Sequence, residues 1–367
     1  MENGSNIPPA LTACSTDKKT IIPILYSGGS LMKKYGVKVF HTIFMSIVCL
    51  LSFNSFAESA CGGANCSLVT GSQDGLLDKG KFIVDLSYRY VLVENPHHGS
   101  SSTNEALVPK VNFETRELEL GHHNEIRTVN KLAQFDVSYG VTEKLTLSMN
   151  VPFFNDRYHE HFDGIENPGE TGTFNNTDGT TGFGDVTLLA KYALWQTTKH
   201  TLIGGAGIKF ATGDYKLRDS DGAINEPTLM PGTGSYDAIL SGMYSYSIIP
   251  YTFNFFSSVS HRFATENDLD YLFGDTTLID FGVSYLLSKK VSVSGQVNGR
   301  ISGRDKFIDA DVPSTGGEFL FITPGIRLAV SKDMSVYSHV QLPVYQRVNE
   351  SNLVEDYGVM LGVSYGF

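Results

Sequence analysis

From residue 81 to residue 367 apolar and polar residues alternate in twelve separate runs, and the links between the runs themselves alternate between short and long. The runs are 81–93, 131–141, 144–154, 185–195, 201–211, 236–248, 251–263, 277–287, 290–302, 318–330, 334–348 and 356–367. A period of two predicts strands with one greasy face. Each run is long enough to cross a bilayer as a tilted strand, which takes about 9–11 residues. After the second, fourth, sixth, eighth and tenth runs the links are short: "TE", "QTTKH", "IP", "SK" and "SKD". After the odd runs they are usually longer, the first three covering about 94–130, 155–184 and 212–235. An even number of strands with this asymmetry predicts an all-β fold. It is a transmembrane antiparallel up-and-down β-barrel of about twelve strands over 81–367, with short periplasmic turns and longer extracellular loops. Closure leaves no backbone edge unpaired in lipid.

The faces agree with that reading. The first run sets Phe82, Val84, Leu86, Tyr88, Tyr90 and Leu92 against Asp85, Ser87 and Arg89. The ninth sets Val291, Val293, Val297 and Ile301 against Ser292, Ser294, Gln296, Asn298 and Arg300. Charged residues are only 18% of the chain, while Gly (37), Phe (23) and Tyr (18) are plentiful. A soluble domain carries nearer a quarter charged residues. The net charge of −11 argues against a nucleic-acid partner, because phosphates call for a basic face.

Upstream, "MKKYGVKVFHTIFMSIVCLLSFNSFAESA" begins at Met32 with three lysines, continues through an apolar stretch and ends in small residues. That is the layout of a cleaved secretory signal, expected over 32–57. Residues 1–31 then read as an over-extended start, and 58–80 as a periplasmic segment ahead of the barrel. Cys61 and Cys66 in that segment would reach an oxidising compartment, where a small disulfide loop or two free thiols are the simplest states. No His follows Cys66, so haem attachment is not indicated, and no cofactor is expected.

With strand directions assigned, ten charged side chains are expected to line the lumen: Asp85, Arg89, Asp136, Asp185, Lys191, Lys209, Asp237, Asp280, Arg300 and Arg327. Asp185 and Asp237 fall near the external rim, Lys209 and Arg300 in the upper half, the others deeper. Both signs occur, so strong selection for one ion charge is not expected. The simplest alternative is that these groups pair across the lumen and fill it. Two expected external loops hold histidines: His97, His98, His122 and His123 in the first, and "HEHFDG" in the second. His159 and His161 are weak candidates for a zinc or copper site. "NNTDGTTGFGD" and "DSDG" offer oxygen-rich turns but not the spacing of a calcium loop.

Three segments resemble one family. "GFGDVTLLAKYAL" (182–194), "GGAGIKFATGDY" (204–215) and "GTGSYDAILSGMYSY" (232–246) are similar to the outer-membrane barrels named for a MetA pathway of phenol degradation. Ala211 stands where that family usually has proline, with Thr212 and Gly213 kept. The resemblance implies a Gram-negative outer-membrane transporter or channel, passing small solutes that include aromatic or hydrophobic compounds. The terminal Phe367, with Tyr365 two residues earlier, resembles the signal read by the outer-membrane assembly machinery. Outer-membrane lipid and a small-molecule solute are the other expected partners; the oligomeric state is open. Two other functions carry weight: an adhesion barrel that binds a partner through its loops, and a lipid hydrolase, since a twelve-stranded outer-membrane phospholipase exists. The hydrolase needs a Ser–His pair facing lipid. Ser257 and His261 share an outward face, but that enzyme's His-x-Ser order is absent.

Overall fold

The computed structural model describes residues 75–165, 170–175 and 178–367. The expected signal segment, and Cys61 and Cys66, lie outside them. Twelve staves form the wall: β1 (Phe82–His98), β2 (Glu117–Thr142), β3 (Leu145–Asp163), β4 (Thr187–Gln196), β5 (His200–Lys209) and β6 (Asp237–Ile249), then β7 (Phe253–Phe263), β8 (Thr276–Ser288), β9 (Val291–Ser302), β10 (Gly317–Ala329), β11 (Met334–Val348) and β12 (Ser351–Gly366). Each pairs antiparallel with the next, and β12 returns to β1 from Ile83↔Gly366 up to His98↔Ser351, closing the barrel.

Alternation decides which side of each stave is inside. Along β1, Leu86 (49%) and Tyr88 (40%) are exposed while Asp85, Ser87 and Arg89 are buried. The same division places Leu147, Leu188, Tyr192, Leu240, Val259, Phe281, Val297, Ile322 and Leu361 outside. So many large apolar side chains on one outer surface are incompatible with water and suited to hydrocarbon. Near the short-turn end the aromatics thicken: Phe82, Tyr139, Tyr365 and Phe367 cluster, with Phe82 and Phe367 ring centroids 6.0 Å apart.

The wall is tight where β12 passes β11. A Cβ built on Gly362 would lie 2.2 Å from the Tyr337 ring. Tyr337 cannot yield freely, because its hydroxyl donates to Asp85 Oδ1 at 2.7 Å on the lumen side. Gly362→Val is therefore expected to cost about 1–3 kcal/mol by overpacking, read as a lower urea midpoint for unfolding of the barrel in lipid vesicles. An unchanged midpoint would mean that the ring swings aside at no cost.

The external connections differ from expectation in form. Much of the expected first loop, 94–130, is strand: β1 runs on to His98 and β2 starts at Glu117. The expected second loop loses its first part in the same way, because β3 continues to Asp163. His159 and His161 thus sit on a stave, not in a loop. Beyond the hydrocarbon neither face of a strand must be greasy, so pairing persists where alternation has gone.

The remaining external segments fold over the mouth. Leu107–Asn112 pairs with the outer part of β2, and Tyr271–Leu272, Lys306–Phe307 and Ala310–Asp311 make a small separate sheet. Val111, Tyr271, Phe307 and Val312 form a buried apolar cluster, packed by Phe113, Leu118 and Phe273. Such a cluster gives the loops a core of their own, docked on the outer end of β2 through Leu118.

Candidate functional site

Ascending from the periplasmic end, the lumen holds four tiers. In the lowest, Asp85 accepts from Tyr337 and stands opposite Asp136 in the β1–β2 register. Asp136 Oδ1 accepts from Gln134 Nε2 (2.8 Å) and Asn150 Nδ2 (2.7 Å). The Arg327 guanidinium lies 5.0 Å from the Tyr337 ring and donates to Ser335 Oγ. Arg89, Lys191 and His339 are buried among them.

The middle tier is part polar, part apolar. Asp280 accepts from Ser258 Oγ (2.9 Å) and Asn298 Nδ2 (2.8 Å), and Thr323 donates to Asn298 Oδ1. Across it Arg300 donates to Glu355 at 2.9 Å, and its guanidinium lies 4.1 Å from the Phe319 ring. Phe319 and Phe321 stack with an interplanar angle of 10°, and Val348 and Val354 complete their cluster. A second apolar group, Val91, Val93, Ala106 and Leu353, is packed further along the same wall. One side of the lumen here is apolar, with the Arg300 guanidinium over its two rings.

The third tier, at the rim, is built from the three family-like segments. Lys209 is held by Asp185 (2.8 Å), two residues before β4, and by Asp237 (3.2 Å), its register partner on β6. Lys209 also donates to Ser235 O and Thr233 Oγ1. Asp185 in turn accepts backbone N–H groups from Gly213 and Thr233, both at 2.9 Å. Asp214 N donates to Phe183 O, and Gly232 N donates to Asp214 O at 2.8 Å. At this crossing a Cβ on Gly232 would lie 2.6 Å from the Gly213 α-carbon, which only glycine at both positions avoids. The long segment 214–231 therefore leaves and re-enters the rim at one point, pinned by a buried lysine between two carboxylates.

That segment fills part of the mouth. Its one-turn 3-10 helix, Pro227–Leu229, buries Leu229 and Met230. Asn155 of β3 donates to Pro231 O at 2.8 Å, and Thr180 donates to Leu229 O. Beneath the cap remains a cavity of about 90 Å³, bordered by Val93, Val108, His159, Glu226, Leu229 and Tyr271. This has room for a few water molecules, not for an open path.

The fourth tier is a buried knot of imidazoles and carboxylates on the outer parts of β2 and β3. His123 Nε2 lies 3.1 Å from Glu125 and 3.4 Å from Glu226; His159 Nε2 lies 3.3 Å from Glu125. His161 Nε2 lies 2.6 Å from Asp163 and 3.3 Å from Asp178. Burial pushes His123 and His159 down to about 4, so both are neutral at pH 7. It likewise pushes Glu125 and Glu226 up. For His161 burial acts in the same downward sense, but the hydrogen bond and charge of Asp163 outweigh it and raise the group.

Of the ten expected lumen residues, nine are buried and Arg327 is half-buried; the structure brings Asp185, Lys209 and Asp237 into one cluster and Asp85 and Asp136 into another. Arg327 adjoins the second cluster through Tyr337, while Asp280 and Arg300 lie in the middle tier. Glu355, Glu125, Glu226, Asp163 and Asp178 were not among the expected site residues. Asp219 of "DSDG" spends its carboxylate on a turn, accepting from Asp221 N and Ala223 N. Ser257 and His261 are four residues apart on β7, about 13 Å along a strand, too far for a nucleophile–base pair. His261 Nδ1 faces Thr277 Oγ1 instead.

Residues 118–362 match the family described as "Putative MetA-pathway of phenol degradation". The chain belongs to that family. Among solved structures it is similar to an outer membrane channel from Pseudomonas putida F1, with 12% identity and a TM-score of 0.58 over 82% of this chain and 100% of that one. Weaker likenesses include the toluene transporter TbuX from Ralstonia pickettii, at 10% identity and a TM-score of 0.42 over 82% of this chain and 92% of that one. The NanC porin gives 13% and 0.41, over 77% of this chain and 98% of that one. No curated protein matches the sequence. A closed twelve-stave barrel with a greasy outer girdle, in this family, is a protein of the Gram-negative outer membrane.

Proposed function

We propose that the barrel is a passive outer-membrane channel for small solutes, aromatic or otherwise apolar ones among them. The observation that carries this is the lumen itself. Twelve strands enclose more space than the eight whose side chains fill a barrel, and less than the 16–18 of wide porins. The lumen wall pairs a charged and amide-rich side with an apolar side centred on Phe319 and Phe321. An amphipathic ring such as a phenol would find hydrogen-bond partners on one and, where it displaces the Arg300 guanidinium from the rings, stacking area on the other. The segment 214–231 lies over the mouth, and in this reading it shifts to let solute pass.

The test is a planar-bilayer recording joined to liposome uptake with a panel of phenols, alkylbenzenes and sugars. Faster uptake of the aromatic members than of sugars of equal size supports the reading. Uptake indistinguishable from empty liposomes for every solute would remove it and favour a partner-binding barrel. The protein is proposed to catalyse no reaction; turnover of phospholipid in the same vesicles would reverse that.

A further inference from the structure

We propose that His123, Glu125, His159 and Glu226 form a site for a divalent transition-metal ion of the zinc type, tying β2 and β3 to the segment 214–231 across the external mouth. Four observations lead there, none of which depends on what the barrel transports.

The first is spacing. Zinc holds nitrogen and oxygen at about 2.0–2.2 Å, so the edges of its tetrahedron measure about 3.3–3.6 Å. His123, Glu125 and His159 each offer a ligand atom within 4.8 Å of the others. Their nitrogen–oxygen separations to the two Glu125 oxygens are 3.1 and 3.3 Å. Glu226 approaches this nucleus at 3.4 Å from His123, so a small closing movement of Glu226 completes the set. The second is valence. His123 Nε2 faces a carboxylate oxygen on each of two residues, Glu125 and Glu226. A neutral imidazole nitrogen carries at most one proton and can satisfy one of them; a cation satisfies both.

The third is an orphan atom. His159 Nε2 is buried and makes no hydrogen bond, although it points to within 3.3 Å of Glu125 Oε2. Its other nitrogen, Nδ1, lies 2.9 Å from Thr128 Oγ1. With Nδ1–H donating to that hydroxyl, the Nε2 lone pair is left aimed at the centre of the set, the arrangement that orients metal-binding histidines. The fourth is charge. In their ligating forms two imidazoles and two carboxylates carry −2, which a divalent ion cancels in a site where side-chain exposure is 16% at most. Two imidazoles favour zinc, copper or nickel over the all-oxygen preference of calcium and magnesium. The neighbouring His161, Asp163 and Asp178 repeat the pattern of one nitrogen between two carboxylates and offer room for a second ion.

The experiment uses the full barrel, purified in detergent, stripped with a chelator and dialysed against zinc chloride with millimolar magnesium and calcium present. Metal content is then measured by mass spectrometry, and the same preparation is loaded with cobalt chloride. The expected result is at least one zinc ion retained per chain, and with cobalt the intense visible absorption of a four-coordinate ion. In H123Q/H159Q the first ion is lost; in E226Q its affinity falls by at least about tenfold, the scale on which even outer partners of a metal act. Heat-modifiable migration on gels confirms that each variant has closed its barrel, and E226Q, altered in a loop, remains informative where the double variant fails to close. Zinc is also expected to slow proteolysis within 214–231 in the wild type but not in E226Q. No retained zinc in the wild type, or equal affinity in E226Q and wild type, overturns the proposal.

Discussion

Excising residues 214–231 is expected to convert a barrel with small, brief openings into a steady conductor several times more conductive. The two ends of that segment already meet. Cβ atoms built on Gly213 and Gly232 fall 2.7 and 2.6 Å from the opposite α-carbon, so the pair is close to the about 3.8 Å spacing of consecutive residues. Joining Gly213 directly to Gly232 therefore asks little of β5 or β6, and leaves Asp185, Lys209 and Asp237 in place. What leaves the mouth is the buried turn around Leu229 and Met230, with Glu226. Tyr271, Phe307 and Val312 still cover part of the opening, so conductance stays below that of an open tube this wide. Single-channel recording in planar bilayers reads the result. Conductance equal to wild type would place the constriction deeper, at the Arg300 and Phe319 tier.

Lys209→Met is expected to cost about 3–5 kcal/mol, because it strands the buried Asp185 carboxylate and leaves Asp237 only the Arg262 guanidinium at 3.8 Å. The lysine side chain is 7% exposed, and those of Asp185 and Asp237 are 4% and 0% exposed, so water cannot take its place. The triple change Lys209→Met, Asp185→Asn, Asp237→Asn should recover much of the loss, since it removes the unpaired charge as well as the pair. The single tryptophan, Trp195, stacks on His200 with centroids 5.1 Å apart near the opposite end of the barrel. Its fluorescence in urea follows unfolding without touching the altered site. If the single variant matched wild type, the rim cluster would be ornament rather than anchor. If the triple variant were no better than the single, the loss would come from packing and not from stranded charge.

How much of this the residues announced depends on whether hydrocarbon was present to enforce a pattern. Within the bilayer one face must be greasy and the other need not be, so the staves and their lumen faces were readable from alternation alone. Outside it the constraint lapses. "ELELGHHNEIRTVN" has no clean period, yet it forms the outer half of β2 because β1, β3 and Leu107–Asn112 supply backbone partners. A second failure is local. Register shifts between Leu92, Val93 and Asn95 on β1, opposite Tyr357 and Glu355, turn Glu355 inward to meet Arg300, whereas strict alternation from Tyr357 sends it to lipid. The carboxylates around the histidines could not be read at all: Glu125, Asp178 and Glu226 are far apart in the chain and meet only when the cap folds.

β2 holds 26 residues, about 85 Å of strand at roughly 3.3 Å each, whereas the hydrocarbon layer takes about 9–11 of them. Its surplus, braced by β3, stands clear of the membrane as a turret that lifts the cap beyond the hydrocarbon. In the proposed channel, solute arriving at that height meets the cap in the aqueous layer above the carpet of lipid headgroups.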